Sequence, residues 1–172
     1  MKKQKPNFEE ALNAASLWCN AWDIEELSDE VLADRVSELL ETKEGARAFF
    51  VISLSSKSPL MDRIPEPLLI QLRNAGELVV DLTVRNLAMS TAMSLHHQRE
   101  ESADLQIGSE RIKERCIELL RKLEPSKVKA RLEVLLAGTK GKGSDIEFLD
   151  HWKYDSQQKN AIAKSINSVA EN

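Results

Sequence analysis

Two histidines stand beside a run of acids in this chain: His96 and His97 are followed by Glu100, Glu101 and Asp104. If one helix continues through them, His96 faces Glu100 and His97 faces Glu101, each one turn away. Imidazole and carboxylate at that spacing can ligate a divalent metal. A di-iron carboxylate bundle, however, needs Glu-x-x-His on two helices and glutamates from two more, and no Glu-x-x-His occurs in the chain. The plainer reading is that the histidines close a helix C-terminus, where the dipole favours their protonated form. We therefore expect no bound metal and no other cofactor.

Glu77, Asp81 and Arg85 follow one another at intervals of four, with Asn86 alongside. That spacing makes an ion-pair ladder on one helix edge. The alternative, a buried carboxylate with altered acidity, would need a second placed group before it could do acid-base work. The stretch Gly138 to Ser144 (GTKGKGS) has the glycines of a phosphate loop but lacks the lysine before the hydroxyl residue, and the segment before it reads as helix rather than strand. Neither cysteine sits in a catalytic setting and no G-x-S-x-G occurs, so no catalytic residue is assigned and the chain is expected not to be an enzyme.

Lys140 and Lys142 of the glycine-rich stretch join Arg111, Lys113, Arg115, Lys127, Lys129 and Arg131 in a basic region. Residues 109–143 hold ten bases against five acids, whereas residues 1–50 hold six bases against 11 acids. Solvated or neighbouring faces account for this asymmetry more simply than an anionic partner does. Nucleic acid is not expected, because glutamates interrupt the basic run, no aromatic residues alternate with it, and the net charge is −4.

Three apolar pairs are candidates for contact with a partner or ligand. Trp18 and Trp22 lie one turn apart and most simply anchor their helix, with a partner-facing patch as the other use. Phe49 with Phe50 and Met89 with Met93 read first as core filler; a pocket between their helices is the alternative, and would make the protein a small-molecule or cofactor binder.

The elements that carry these residues are helical by their periodicity. Phe8 to Trp22 buries Leu12, Ala15, Cys19 and Trp22; Ser28 then caps a helix whose stripe is Val31, Leu32, Val36, Leu39 and Leu40. Ala46 to Leu54 could be strand or helix, and helix is favoured by its neighbours and by Glu44, Arg47 and the small Ala46 and Ala48. Ser55 to Pro67 holds three prolines and is the clearest irregular connection, where a binding surface could lie. A short helix from about Pro67 to Asn74 follows.

Glu77 to His97 then reads as one long helix without glycine or proline, apolar over most of its circumference, which other helices must wrap. Ser90, Ser94, Ala88 and Ala92 would let one of them approach closely. Beyond a polar run, Ser109 is expected to cap a helix carrying Ile112, Cys116, Leu119, Leu120 and Leu123, and Pro125 divides it from one carrying Val128, Leu132, Leu135 and Leu136. Gly138 should stop that helix, residues 138–144 should form a flexible linker, and Ser144 with Glu147 fits a capping box. Residues 145–172, with a last helix from about Asp155, are expected as a loosely packed appendage.

A chain of 172 residues can bury one sizeable core, and its low aromatic and glycine content argues against an all-β fold. The two cysteines lack CxxC spacing and read as buried free thiols in a reducing compartment. The first 15 residues lack the apolar stretch of a signal peptide, and the charges of Asp81 and Arg85 keep the long helix out of a bilayer. A cytoplasmic protein is expected, without membrane insertion.

The strings EGARAFF, from Glu44 to Phe50, and NLAMSTAM, from Asn86 to Met93, resemble segments of a family of small uncharacterised cyanobacterial helical proteins, over roughly Leu27 to Leu123. The resemblance implies a bacterial cytoplasmic setting and carries over no catalytic residue. The combined expectation is an all-α, single-domain bundle of seven or eight helices around the long central one. It would act without catalysis as an interaction or regulatory module, on another protein or on a second copy of itself as a homodimer.

Overall fold

A computed structural model describes residues 4–171. The basic start at residues 1–3 lies outside the described residues. Among them the chain is all α-helical, with nine α-helices, one short 3-10 helix and no strand. No helix is long and apolar enough to cross a membrane among the described residues. Where the sequence suggests one bundle around a central helix, packing divides the chain into two compact units, Met1–Leu82 and Thr83–Asn172.

The first unit contains α1 (Phe8–Asp23), α2 (Asp29–Leu39), α3 (Lys43–Ser55), the 3-10 helix Pro59–Met61 and α4 (Glu66–Asn74). Helix α1 packs mainly on α3, and α2 on α4. Each start has a chemical cause. Asn7 and Glu10 form a reciprocal capping box on α1, the Ser28 hydroxyl accepts from the Val31 amide, and the Thr42 hydroxyl accepts from the Gly45 amide.

Ala46 to Leu54 is helix, as favoured, and buries Ala46, Ala48, Phe49, Phe50 and Leu54. Small residues on α1, namely Ala11, Ala15 and Cys19, form its buried ridge, while Leu12 and Trp22 are only half-buried. On α2 the stripe is Leu32, Ala33, Val36, Leu39 and Leu40; Val31 is instead 40% exposed, because it falls one position off that face. Gly45 neither ends α2 nor interrupts α3: a Cβ there would lie 2.0 Å from the Leu39 carbonyl oxygen, so only glycine lets α3 start so close to the end of α2. The proline-rich connection is also more ordered than a free loop, since Ser58 caps the 3-10 helix and Leu60 and Met61 are buried.

Helix α5 (Glu77–Arg99) contains the boundary between the units, which falls after Leu82, and is buried over most of its circumference from Val79 to Ser94. Gly76, at φ 63°, provides the left-handed turn before it. The second unit adds α6 (Ala103–Lys122), α7 (Pro125–Thr139), α8 (Ile146–His151) and α9 (Ser156–Ala170). Helix α9 packs on α6 and α7, and α8 on α7.

Three expectations change here. Helix α6 starts at Ala103, so Ser109 lies inside it and caps nothing. Residues 138–144 close a hydrogen-bonded turn: the Lys142 amide donates to the Ala137 carbonyl at 2.9 Å, the Gly141 amide to the Gly138 carbonyl at 3.0 Å, and Gly141 has φ 78°. The C-terminal helix is packed rather than loose. Ile162 is fully buried, the Thr91 and Ser165 hydroxyls are hydrogen-bonded at 2.8 Å, and Gln158 donates to the Ala92 carbonyl at 3.2 Å. The small face of α5 thus receives α9.

Candidate functional site

The metal reading of His96, His97, Glu100 and Glu101 depends on the helix continuing, and it does not. Helix α5 stops at Arg99, Glu101 turns left-handed at φ 55°, and the Ser102 amide closes back on the His97 carbonyl at 2.9 Å. The two imidazoles instead pack edge to face, 5.6 Å apart. No group of three or more potential ligands occurs among the described residues.

The basic face is dispersed rather than assembled. Arg115 is buried; the Arg131 guanidinium donates to both oxygens of the buried Asp145 carboxylate at 2.6 and 3.2 Å. Lys113 pairs with Glu110 at 2.7 Å and Lys127 with Glu124 at 3.3 Å. Lys129, Lys140 and Lys142 are exposed and Arg111 is half-buried. The expected Ser144–Glu147 capping box is not made, because α8 starts one residue later with Asp145 at its N-cap, and the Asp145 side chain is taken by Arg131 and makes no cap hydrogen bond.

Phe49 and Phe50 are core, with ring centroids 5.6 Å apart and side chains closed to solvent. Met89 is half-buried, but Met93 is 39% exposed and is not core filler. Arg85 lies over the Phe148 ring, 5.1 Å from its centroid. Both cysteines are buried free thiols; burial pushes the Cys19 thiol up to about 11 and raises that of Cys116 further.

Trp18 and Trp22 are half-buried and tied to α2 rather than sunk into a core. The Arg35 guanidinium sits 5.2 Å from the centre of the Trp18 ring, and the Trp22 indole N–H donates to Asp29 at 2.8 Å. Trp22 also lines a surface cavity of about 530 Å³ with residues of the segment 23–29 and Pro59.

Two further concavities belong to the second unit. An apolar groove of about 570 Å³ runs between α6, α7 and α9, with Leu120, Leu123, Val128, Leu132, Leu136 and Val169 in its wall and Lys129 and Glu133 at its rim. In the sequence Leu120 and Leu123 belong to one apolar stripe and Val128, Leu132 and Leu136 to another; their convergence with α9 on one gap is a feature that no single-helix periodicity reveals. Beside it, α5, α6 and α9 frame a polar cleft of about 420 Å³. There Ser94 donates to Glu110, whose carboxyl burial would raise, but the hydrogen bonds from Lys113 and Ser94 prevail and hold it low.

Comparison with protein families gives a match to the family described as Uncharacterised conserved protein UCP020893, over residues 7–169. The chain belongs to that family. No curated protein and no solved structure matches it significantly. The match includes both strings that first suggested a family of small uncharacterised proteins, the whole of α1 to α8, and α9 as far as Val169.

Proposed function

We propose that this family member is a non-enzymatic interaction module that holds an apolar segment of another protein in the groove between α6, α7 and α9. The observation that carries this reading is the groove itself, about 570 Å³ of mostly aliphatic wall open to solvent on a folded unit. An amphipathic partner helix fits it best, since Leu or Phe anchors at i, i+3 or i+4 would enter the gap while Lys129 and Glu133 meet the polar edge. The non-catalytic reading is supported by the state of the reactive groups: both thiols are held protonated, and the carboxylate of the polar cleft is engaged by Ser94 and Lys113. A bacterial cytoplasmic setting follows from the EGARAFF and NLAMSTAM strings and the buried thiols, and is part of the proposal.

A photo-crosslinking amino acid at Lys129, in extract of the source cells, tests it. The expected result is a discrete cross-linked protein that disappears when Ala170, exposed at the groove edge, is changed to Arg. Cross-linking that is absent, or unchanged in Ala170→Arg, overturns the reading.

A further inference from the structure

Three features of the first unit meet at one place: the second tryptophan of α1, the acidic run that follows it, and the proline of the 3-10 helix. The cavity of about 530 Å³ there is walled by Trp22, Asp23, Glu25, Leu27, Asp29 and Pro59, with three carboxylates and no basic residue among its lining. The segment from Trp22 to Glu30 holds five acids and no base. Its geometry is fixed by internal hydrogen bonds. The Trp22 indole N–H donates to Asp29 at 2.8 Å, and the Ser58 hydroxyl donates to one oxygen of Asp23 at 3.0 Å, which ties the start of the 3-10 helix to the end of α1. Asp23 and Glu25 both line the cavity and are both exposed.

We propose that this cavity binds the cationic side chain, arginine or lysine, of a basic segment of a partner protein. The aliphatic stem would lie along Trp22 and Pro59, with the charged head between Asp23, Glu25 and Asp29. The same helix already shows this chemistry one turn earlier, where Arg35 occupies the face of Trp18 at 5.2 Å. Charge complementarity selects the occupant. A divalent ion would need several carboxylate oxygens at one point, whereas Asp23 and Asp29 each commit an oxygen to Ser58 or to Trp22. A guanidinium or ammonium spreads its hydrogen bonds over separated carboxylates and gains from an aromatic wall. The inference stands on the first unit alone and does not depend on the apolar groove.

The test follows the indole N–H resonance of Trp22 in the full chain, assigned with Trp22→Phe, during titration with a capped Gly-Arg-Gly-Arg-Gly peptide and its neutral citrulline analogue. The arginine peptide is expected to shift this resonance and the citrulline peptide to leave it unmoved. Asp23→Asn with Glu25→Gln, which keeps an acceptor for Ser58, should weaken binding about tenfold, equivalent to about 1.4 kcal/mol. Neutralising two acids elsewhere in the unit, Glu9→Gln with Glu44→Gln, should leave it within about twofold, the scale of a distant screened charge. The proposal is overturned if the arginine peptide does not move Trp22, if citrulline moves it equally, or if the distant pair of substitutions weakens binding as much as the cavity pair.

Discussion

Arg131 and Asp145 form a two-pronged ion pair at 2.6 and 3.2 Å in which the acid is 5% and the base 15% exposed. It joins α7 to the start of α8, across the turn that the glycine-rich stretch makes. A charge left in that position without its counter-ion is costly, and Asp145→Asn is expected to destabilise the protein by about 3 kcal/mol. Urea denaturation followed by circular dichroism measures this, and a loss below about 1 kcal/mol, the range of an exposed pair, would contradict it.

Gly45 sits inside α3 with no room for a side chain, since its Cβ would come within 2.0 Å of a backbone oxygen that cannot rotate away. Helix propensity alone would make Gly45→Ala stabilising by about 1 kcal/mol. Crowding should win. We expect a net loss of about 3 kcal/mol, the upper part of the overpacking range, seen as a large fall in melting temperature.

How much of this was legible in the sequence differs by physical origin. Helix identity, the cap at Ser28 and the start of the last helix near Asp155 follow from local rules, so they can be read without knowing what lies across the chain. Tertiary contacts can shift a local pattern: Ser144 with Glu147 fits a capping box by spacing, but α8 starts one residue later, with Asp145 at its N-cap and the Asp145 carboxylate held by Arg131 of another helix. The basic face fails for the same reason, because three of its members, Lys113, Lys127 and Arg131, are neutralised by acids. The left-handed turn at Glu101 is hidden too, because glutamate gives no glycine signal for the end of α5, and the metal reading of His97 rested on that end being elsewhere. Trp22, the acidic run and the Pro59 connection were each visible separately, and their meeting at one cavity belongs to the tertiary structure.

Acid should loosen the contact between the end of α5 and the start of α9. Hydrogen bonds from Arg99, then from the Gln158 amide, hold the Asp155 carboxyl below its ordinary value, and Glu110 is also held low. For a lowered folded-state pKa the stabilisation is present above the ordinary carboxylate value and is lost as pH falls through the folded value. Asp155→Asn should therefore lower the melting temperature at neutral pH and flatten its fall below about pH 4, where an ordinary carboxylate protonates. Parallel melting curves for the two proteins across that range would contradict this.

The thiols should be silent in the native protein. Cys19 is 4% and Cys116 0% exposed, and burial raises both away from the thiolate that alkylating agents need. Iodoacetamide at pH 8 is expected to leave the folded chain unlabelled and to add two groups in urea. Mass spectrometry distinguishes the cases, and rapid single labelling of native protein would show that Cys19 is reached.

Glu25, Glu101 and Lys153 occupy left-handed positions at φ 63°, 55° and 56°, each just past the end of a helix. In all three the following amide bonds back into the helix, from Glu26 to Ala21, from Ser102 to His97 and from Tyr154 to Leu149, the arrangement that glycine accommodates without strain. Replacing each by glycine should stabilise the fold by about 1 kcal/mol, the strain of a side chain in that region. Only one of the three lines the Trp22 cavity. Glu25→Gly is expected to raise the melting temperature while weakening the arginine peptide, whereas Glu101→Gly and Lys153→Gly should raise it and leave the peptide unaffected. If all three variants bind the peptide equally, the carboxylate of Glu25 contributes nothing to the cavity, and its charge serves only the surface.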